Sequence, residues 1–167
     1  MPTHQQFPLP TLSDAMEAAL ERVGPDLAGR GHRMIVDLVD SSTDTGRDLF
    51  PVADVIADVL ECASLYSLTK RNFVHVVFED DHVVITVRDE VPDSAAPLAR
   101  RLTETHGDRI SCCSAETERG AAAVVRLQVP VSKPARVPDG RQEFRYRATV
   151  ARPLLKVREA QEAPRRD

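Results

Sequence analysis

The sequence predicts an α/β (α+β) fold arranged as a two-layer sandwich, a mixed sheet of about five strands with three helices packed on one face. Three observations lead there. Residues 48–65 carry Val52, Val55, Ile56, Val59, Leu60 and Ala63 at steps of three and four, a full core-facing helical stripe. Residues 33–39 alternate, with Met34, Val36 and Leu38 on one side and Ile35, Asp37 and Val39 on the other, as a half-buried strand does. Residues 83–131 run in the order strand, acidic turn, helix, strand, glycine, strand, so helical and extended periods interleave in one domain.

Taken in order, residues 1–10 form a leader in which Phe7 and Leu9 suit a short edge strand. A helix over 11–28 has Leu12, Met16, Ala19, Leu20 and Val23 on one side. Gly24 and Pro25 are expected to disturb or end it, although Leu27 keeps its phase. Residues 40–47 are a polar loop, and 67–72 connect the second helix to strands 73–78 and 83–89. Asp80 and Asp81 sit between those strands and tolerate hairpin-turn geometry. In the third helix, 94–106, Ser94 is the N-cap, Ala95, Leu98, Ala99 and Leu102 make the stripe, and Gly107 is the stop. Strands at about 109–114 and 121–131 follow, with Gly120 free to take positive φ between them.

The domain is therefore expected to span 11–131. A Pro- and Gly-containing linker occupies 132–142, and an added strand segment 143–157 alternates Phe144, Tyr146, Ala148 and Val150 with polar residues. The tail 158–167 is expected to be disordered.

Composition narrows the class. The chain has 167 residues and a net charge of -4, unevenly placed. Residues 1–131 hold 21 acidic and 12 basic side chains, and 132–167 hold 5 acidic and 10 basic, an acidic body with a basic end. Three cysteines, Cys62, Cys112 and Cys113, contain no CxxC pair, which argues against a disulfide framework or zinc site and suits a reducing cytoplasm. The N-terminus lacks the basic start and apolar run of a signal peptide, and no stretch reaches the roughly 20 apolar residues of a membrane span. The expected location is cytoplasmic. No Walker loop, dinucleotide fingerprint, GxSxG or HExxH is present.

The segment LARRLTETHGDRI, preceded by Arg88-Asp89 at the end of a strand, resembles the ATP-binding domain of sensor histidine kinases. This is the histidine-kinase-like ATPase (GHKL) group, with its Bergerat-type fold, here without a dimerisation and phosphoacceptor hairpin. The resemblance covers roughly residues 9–131 and implies a vestigial nucleotide pocket made of Asp89, Asp58, Cys62, Tyr66 and Gly120. Asp89 stands where that family binds the adenine amino group. Cys62 stands where its second box asparagine ligates Mg²⁺, and a soft thiol suits a hard, oxygen-seeking cation poorly. Asp58, one turn earlier, matches an asparagine, or in some relatives a glutamate general base. It is the one candidate catalytic group, weighed against a solvated helix face. Tyr66 matches a frequent aromatic, and Leu65 replaces a frequent lysine.

The glycine pattern of that family is Asp-x-Gly-x-Gly. Here Val91 and Asp93 take the glycine places, and Ser94-Ala95-Ala96-Pro97 takes the place of a lid and a second glycine box. Val at positive φ is strained, and Asp93 adds negative charge near any phosphate. Gly120 remains from a final Gly-Thr pair, with Ala121 lacking the hydroxyl.

These substitutions lead to the expectation of a non-catalytic signalling module that binds a protein partner, with neither ATP nor Mg²⁺ as cofactor and homo-oligomerisation open. The alternative is a working Mg-ATP-binding protein of the two-component or anti-sigma-factor kinase type, resting on Asp89, Asp58 and Tyr66. Nucleic-acid binding through the basic end has only Phe144-Arg145-Tyr146-Arg147 behind it.

Overall fold

The structure is a computed structural model, and it describes residues 9–42, 45–89, 95–131, 144–150 and 156–162. Three α-helices, α1 (Leu12–Gly29), α2 (Val52–Tyr66) and α3 (Ala95–His106), lie on one face of a mixed sheet. The strands are β1 (Arg33–Asp40), β2 (Arg71–Glu79), β3 (His82–Asp89), β4 (Ser111–Thr117), β5 (Gly120–Gln128), β6 (Phe144–Val150) and β7 (Lys156–Glu162). Their order across the sheet is β4-β5-β3-β2-β1-β6-β7. β1 and β2 are parallel, joined through α2, and every other neighbouring pair is antiparallel.

The two-layer class is as the sequence predicts, but the sheet has seven strands rather than about five. The two extra ones come from the C-terminal segment. β6 pairs with β1 from Met34↔Val150 to Asp40↔Phe144, so β1 is an inner strand. Tyr146, Ala148 and Val150 enter the helix-covered core at 6%, 0% and 0% exposure. β7 then pairs with β6, which corrects the expectation of disorder from 158 onward for residues up to Glu162. A polar strand without a hydrophobic stripe is sustained there by ladder hydrogen bonds to β6, a tertiary resource that composition does not register.

Several boundaries also move. α1 runs through Pro25 to Gly29, because one proline removes a single backbone hydrogen bond while Leu27, fully buried, keeps the helix seated. α2 begins at Val52 rather than at 48. Asp48 accepts from the Phe50 amide at 3.0 Å, and Pro51 closes a turn before the helix proper. Arg109 ends a 3₁₀ turn (Gly107–Arg109) instead of opening β4. β2 is longer than expected at both ends, and β5 spans Gly120–Gln128 instead of running to 131. Leu9 is not in a strand, and Phe7 lies outside the described residues. The β2–β3 hairpin turns at Asp80 with φ 55°, a left-handed conformation that Asp tolerates.

The core lies between the layers. Ile56, Leu60, Ile85 and Leu102 are each fully buried in it. α1 is held at its N-terminus from two directions. Thr11 and Asp14 form a capping box. Asp40, 1% exposed at the end of β1, accepts from the Ser13 amide at 2.9 Å and its hydroxyl at 2.8 Å, and also from the amide and hydroxyl of Ser42. Among the described residues no helix is long and apolar enough to cross a membrane.

Candidate functional site

Asp58, Cys62 and Tyr66 recur at four-residue steps and so share one face of α2. Asp58 is the group on which all three helices meet. Its Oδ2 lies 3.1 Å from Nε2 of His106 on α3, and its Oδ1 lies 3.9 Å from Nη2 of Arg22 on α1. Arg22 also holds Asp54 at 2.6 Å. The His106 side chain is only 6% exposed, and its Nε2 is out of line for a hydrogen bond to Asp58, so that contact is an ion pair when the imidazole is protonated. The sequence places His106 at a helix end without disclosing this neighbour, since Asp58 and His106 are far apart in the chain.

One turn on, Cys62 is 9% exposed. Burial, and then the Asp58 carboxylate beside it, push its thiol pKa up. A protonated, sheltered thiol is neither a nucleophile nor a cation ligand. Tyr66 packs partly buried against the core at the end of α2, while its neighbours Leu65 and Leu68 are 64% and 68% exposed.

Asp89 closes β3 and is 5% exposed. Its Oδ2 accepts from the Leu68 amide at 2.9 Å and its Oδ1 from the Thr69 hydroxyl at 2.6 Å. Both oxygens therefore fasten the connection between α2 and β2, which begins one residue after Tyr66. Lys70 in that connection takes φ 58°, a conformation for which the Asp89 anchors on Leu68 and Thr69 provide support.

Gly120 opens β5 at φ 103°, where any side chain would be strained although none would collide. The Thr117 hydroxyl donates to its carbonyl at 2.6 Å across the β4–β5 turn. The β3–β5 register, with Val87 opposite Ala123, brings Gly120 and Ala121 to the same end of the sheet as Asp89. The five candidate residues thus form two groups. Asp58 and Cys62 stand over the α2–α3 seam. Asp89 and Gly120 lie at one end of the sheet, and Tyr66 ends α2 two residues before Leu68, whose amide Asp89 holds. Val91, Asp93 and Ser94, expected to replace the phosphate-binding glycines, lie outside the described residues.

A hydrated Mg²⁺ needs oxygen ligands in near-octahedral array. Asp58 faces the neutral thiol of Cys62 on one side, and cationic or imidazole groups of Arg22 and His106 stand 3.9 and 3.1 Å from its two oxygens. Among the described residues no three His, Cys, Asp or Glu side chains gather in a way that could hold a metal. Among the described residues, then, Asp58 and Cys62 do not offer Mg²⁺ an octahedral set of oxygens.

No protein-family model matches the chain, and no curated protein does. Solved structures similar in architecture include the cytoplasmic segment of histidine kinase QseC, at 16% identity and TM-score 0.45 over 75% of this chain and 80% of that one. The histidine kinase domain of the E. coli osmosensor EnvZ is similar at 16% identity and TM-score 0.45, over 83% of this chain and 99% of that one.

Proposed function

We propose that this chain is a histidine-kinase-like ATPase domain that has given up catalysis and works in the cytoplasm as a signalling module by binding a protein partner. The observation that carries the reading is the Asp89 carboxylate. The residue that the family resemblance assigns to adenine spends both oxygens on the chain's own Leu68 amide and Thr69 hydroxyl, at 5% exposure. The neutral, buried Cys62 at the cation position supports it further.

The test is a thermal-shift and calorimetric titration with Mg-ATP, Mg-ADP and each nucleotide without metal. Ligand at a hundredfold excess over Kd would stabilise the native state by about 2.7 kcal/mol. The expected result is no Mg-dependent shift. A clear Mg-dependent stabilisation would overturn the non-catalytic reading and establish the alternative, an ATP-binding protein of the two-component or anti-sigma-factor kinase type.

A further inference from the structure

The two faces of the sandwich carry opposite charge. The described helices hold eight carboxylates, among them Glu17, Glu21, Asp54 and Glu61, against three arginines. Among the described side chains of β1, β2, β3, β5 and β6, the face away from the helices carries Arg33, Arg71, Arg88, Arg126, Arg145 and Arg147 against Asp37 and Glu79, with Asp37 paired to Arg147. No described helix covers this face. The net charge of -4 conceals this polarity, which appears only when strand alternation sends the arginines to one side.

The cross-strand register organises that face into rows. One row reads Arg145–Val39–Val77–Val84–Arg126 across β6, β1, β2, β3 and β5, three half-buried valines with an arginine at each end. A parallel row places Ile35 beside Phe73 and Phe73 beside Arg88, whose guanidinium lies 4.9 Å from the Phe73 ring centroid. Above that row a cleft of about 350 Å³ opens between Phe73 and the β4–β5 turn, lined by Arg88 and Arg119 and also by Asp37 and Glu118. An aliphatic strip with arginine ends has the anatomy of a protein interface, apolar in the middle and charged around it.

We infer that this open sheet face is a docking surface for an acidic amphipathic α-helix of a partner protein. The valine row crosses three strands. Four inter-strand steps, at about 4.8 Å each, separate its end arginines by roughly 19 Å, the length of about 13 helical residues. A helix of that length laid along the row covers the valines with its apolar stripe and brings a carboxylate to Arg145 at one end and Arg126 at the other. A larger apolar side chain enters the cleft over Phe73. Single-stranded nucleic acid fits less well, because the valine row is aliphatic, Phe73 stands in a neighbouring row, and Asp37 and Glu79 lie on the same face. A second copy of this chain offers an acidic helix layer as well, but those helices already spend their apolar stripes on their own core. The inference deepens the protein-binding reading and rests on it, yet the surface lies on the opposite side of the sheet from Asp58 and Cys62, so nucleotide titration and helix binding fail independently.

The test uses the full chain and a fluorescent 16-residue peptide with Leu at i, i+3, i+4 and i+7 spacing and Glu elsewhere. Control probes carry Lys in place of Glu, or are oligo-dT of equal length. Anisotropy should show binding of the Glu peptide alone, and backbone amide shifts should fall on β1, β2, β3 and β5. Arg126→Glu should weaken binding by at least about fivefold. A peptide whose terminal Glu is changed to Lys should recover it on that variant. Arg145→Glu at the other end of the row replaces Arg126→Glu if the latter loses its native circular dichroism. No binding, binding indifferent to charge reversal, shifts confined to the helices, or tighter binding of oligo-dT would each overturn the proposal. So would sedimentation showing that the face joins copies of this chain.

Discussion

Asp89→Ala separates a structural aspartate from a ligand-binding one. The substitution removes both acceptors from the Leu68 amide and the Thr69 hydroxyl, at 2.9 and 2.6 Å. A hydrogen bond to a charged group contributes about 1.5–3 kcal/mol, and leaving a sheltered donor unpaired costs on the same scale. Leu68 is 68% exposed, so water reaches its amide in the variant and the lower figure applies to each bond. The expected loss is therefore about 3 kcal/mol, which at about 2–4 °C per kcal/mol lowers Tm by roughly 6–12 °C. Asp89→Asn keeps one acceptor for the amide and presents NH₂ to the Thr69 oxygen, so its loss should stay below about 1 kcal/mol. Urea unfolding with nucleotide absent measures both, with an unchanged slope confirming that only stability moved. A loss under about 0.5 kcal/mol for Asp89→Ala, together with nucleotide binding that the variant abolishes, would refute the argument and return Asp89 to the role of an adenine ligand.

Three further outcomes are expected. Leu102→Ala, at a fully buried position of α3, should destabilise by about 2–5 kcal/mol in chemical denaturation, and a change below about 1 kcal/mol would mean that its cavity collapses or its packing is misassigned. Deleting residues 140–167 removes Tyr146, Ala148 and Val150 from the core and leaves β1 as an edge, so stability should fall by at least about 3–6 kcal/mol with new binding of a hydrophobic dye. An unchanged melting curve would refute the docking of β6. His32 is 7% exposed, and burial, then Arg30 and Lys70, hold its pKa below the ordinary 6.5. Its folded form therefore resists protonation, the unfolded chain takes up the proton first, and its contribution is present above about pH 6.5 and lost as pH falls below it. In melts between pH 7.5 and 5, His32→Gln should reduce the acid-side loss of Tm, and an identical profile would show that His32 does not control it.

Much of this architecture was legible in the chain because it depends on short-range periodicity. The stripe from Val52 to Ala63 specifies α2 and its buried side with no knowledge of what lies beneath, and the alternation in β1 likewise assigns Met34, Val36 and Leu38 to the core. The shared side of Asp58 and Cys62 follows from their four-residue spacing on one helix. What the sequence left open depends on contacts between distant residues. The sequence shows the carboxylate of Asp89 at the end of a strand, and only the tertiary structure places the Leu68 amide and the Thr69 hydroxyl on its two oxygens. The same holds for Asp40, which reads as loop and proves to anchor the start of α1 through Ser13. Residues 158–162 look soluble and unstructured alone, because a strand's backbone hydrogen bonds exist only once a neighbour such as β6 is in place. The polarity of the two faces is collective in the same way. Each arginine is visible in the sequence, but register alone aligns Arg145, three valines and Arg126 into one row.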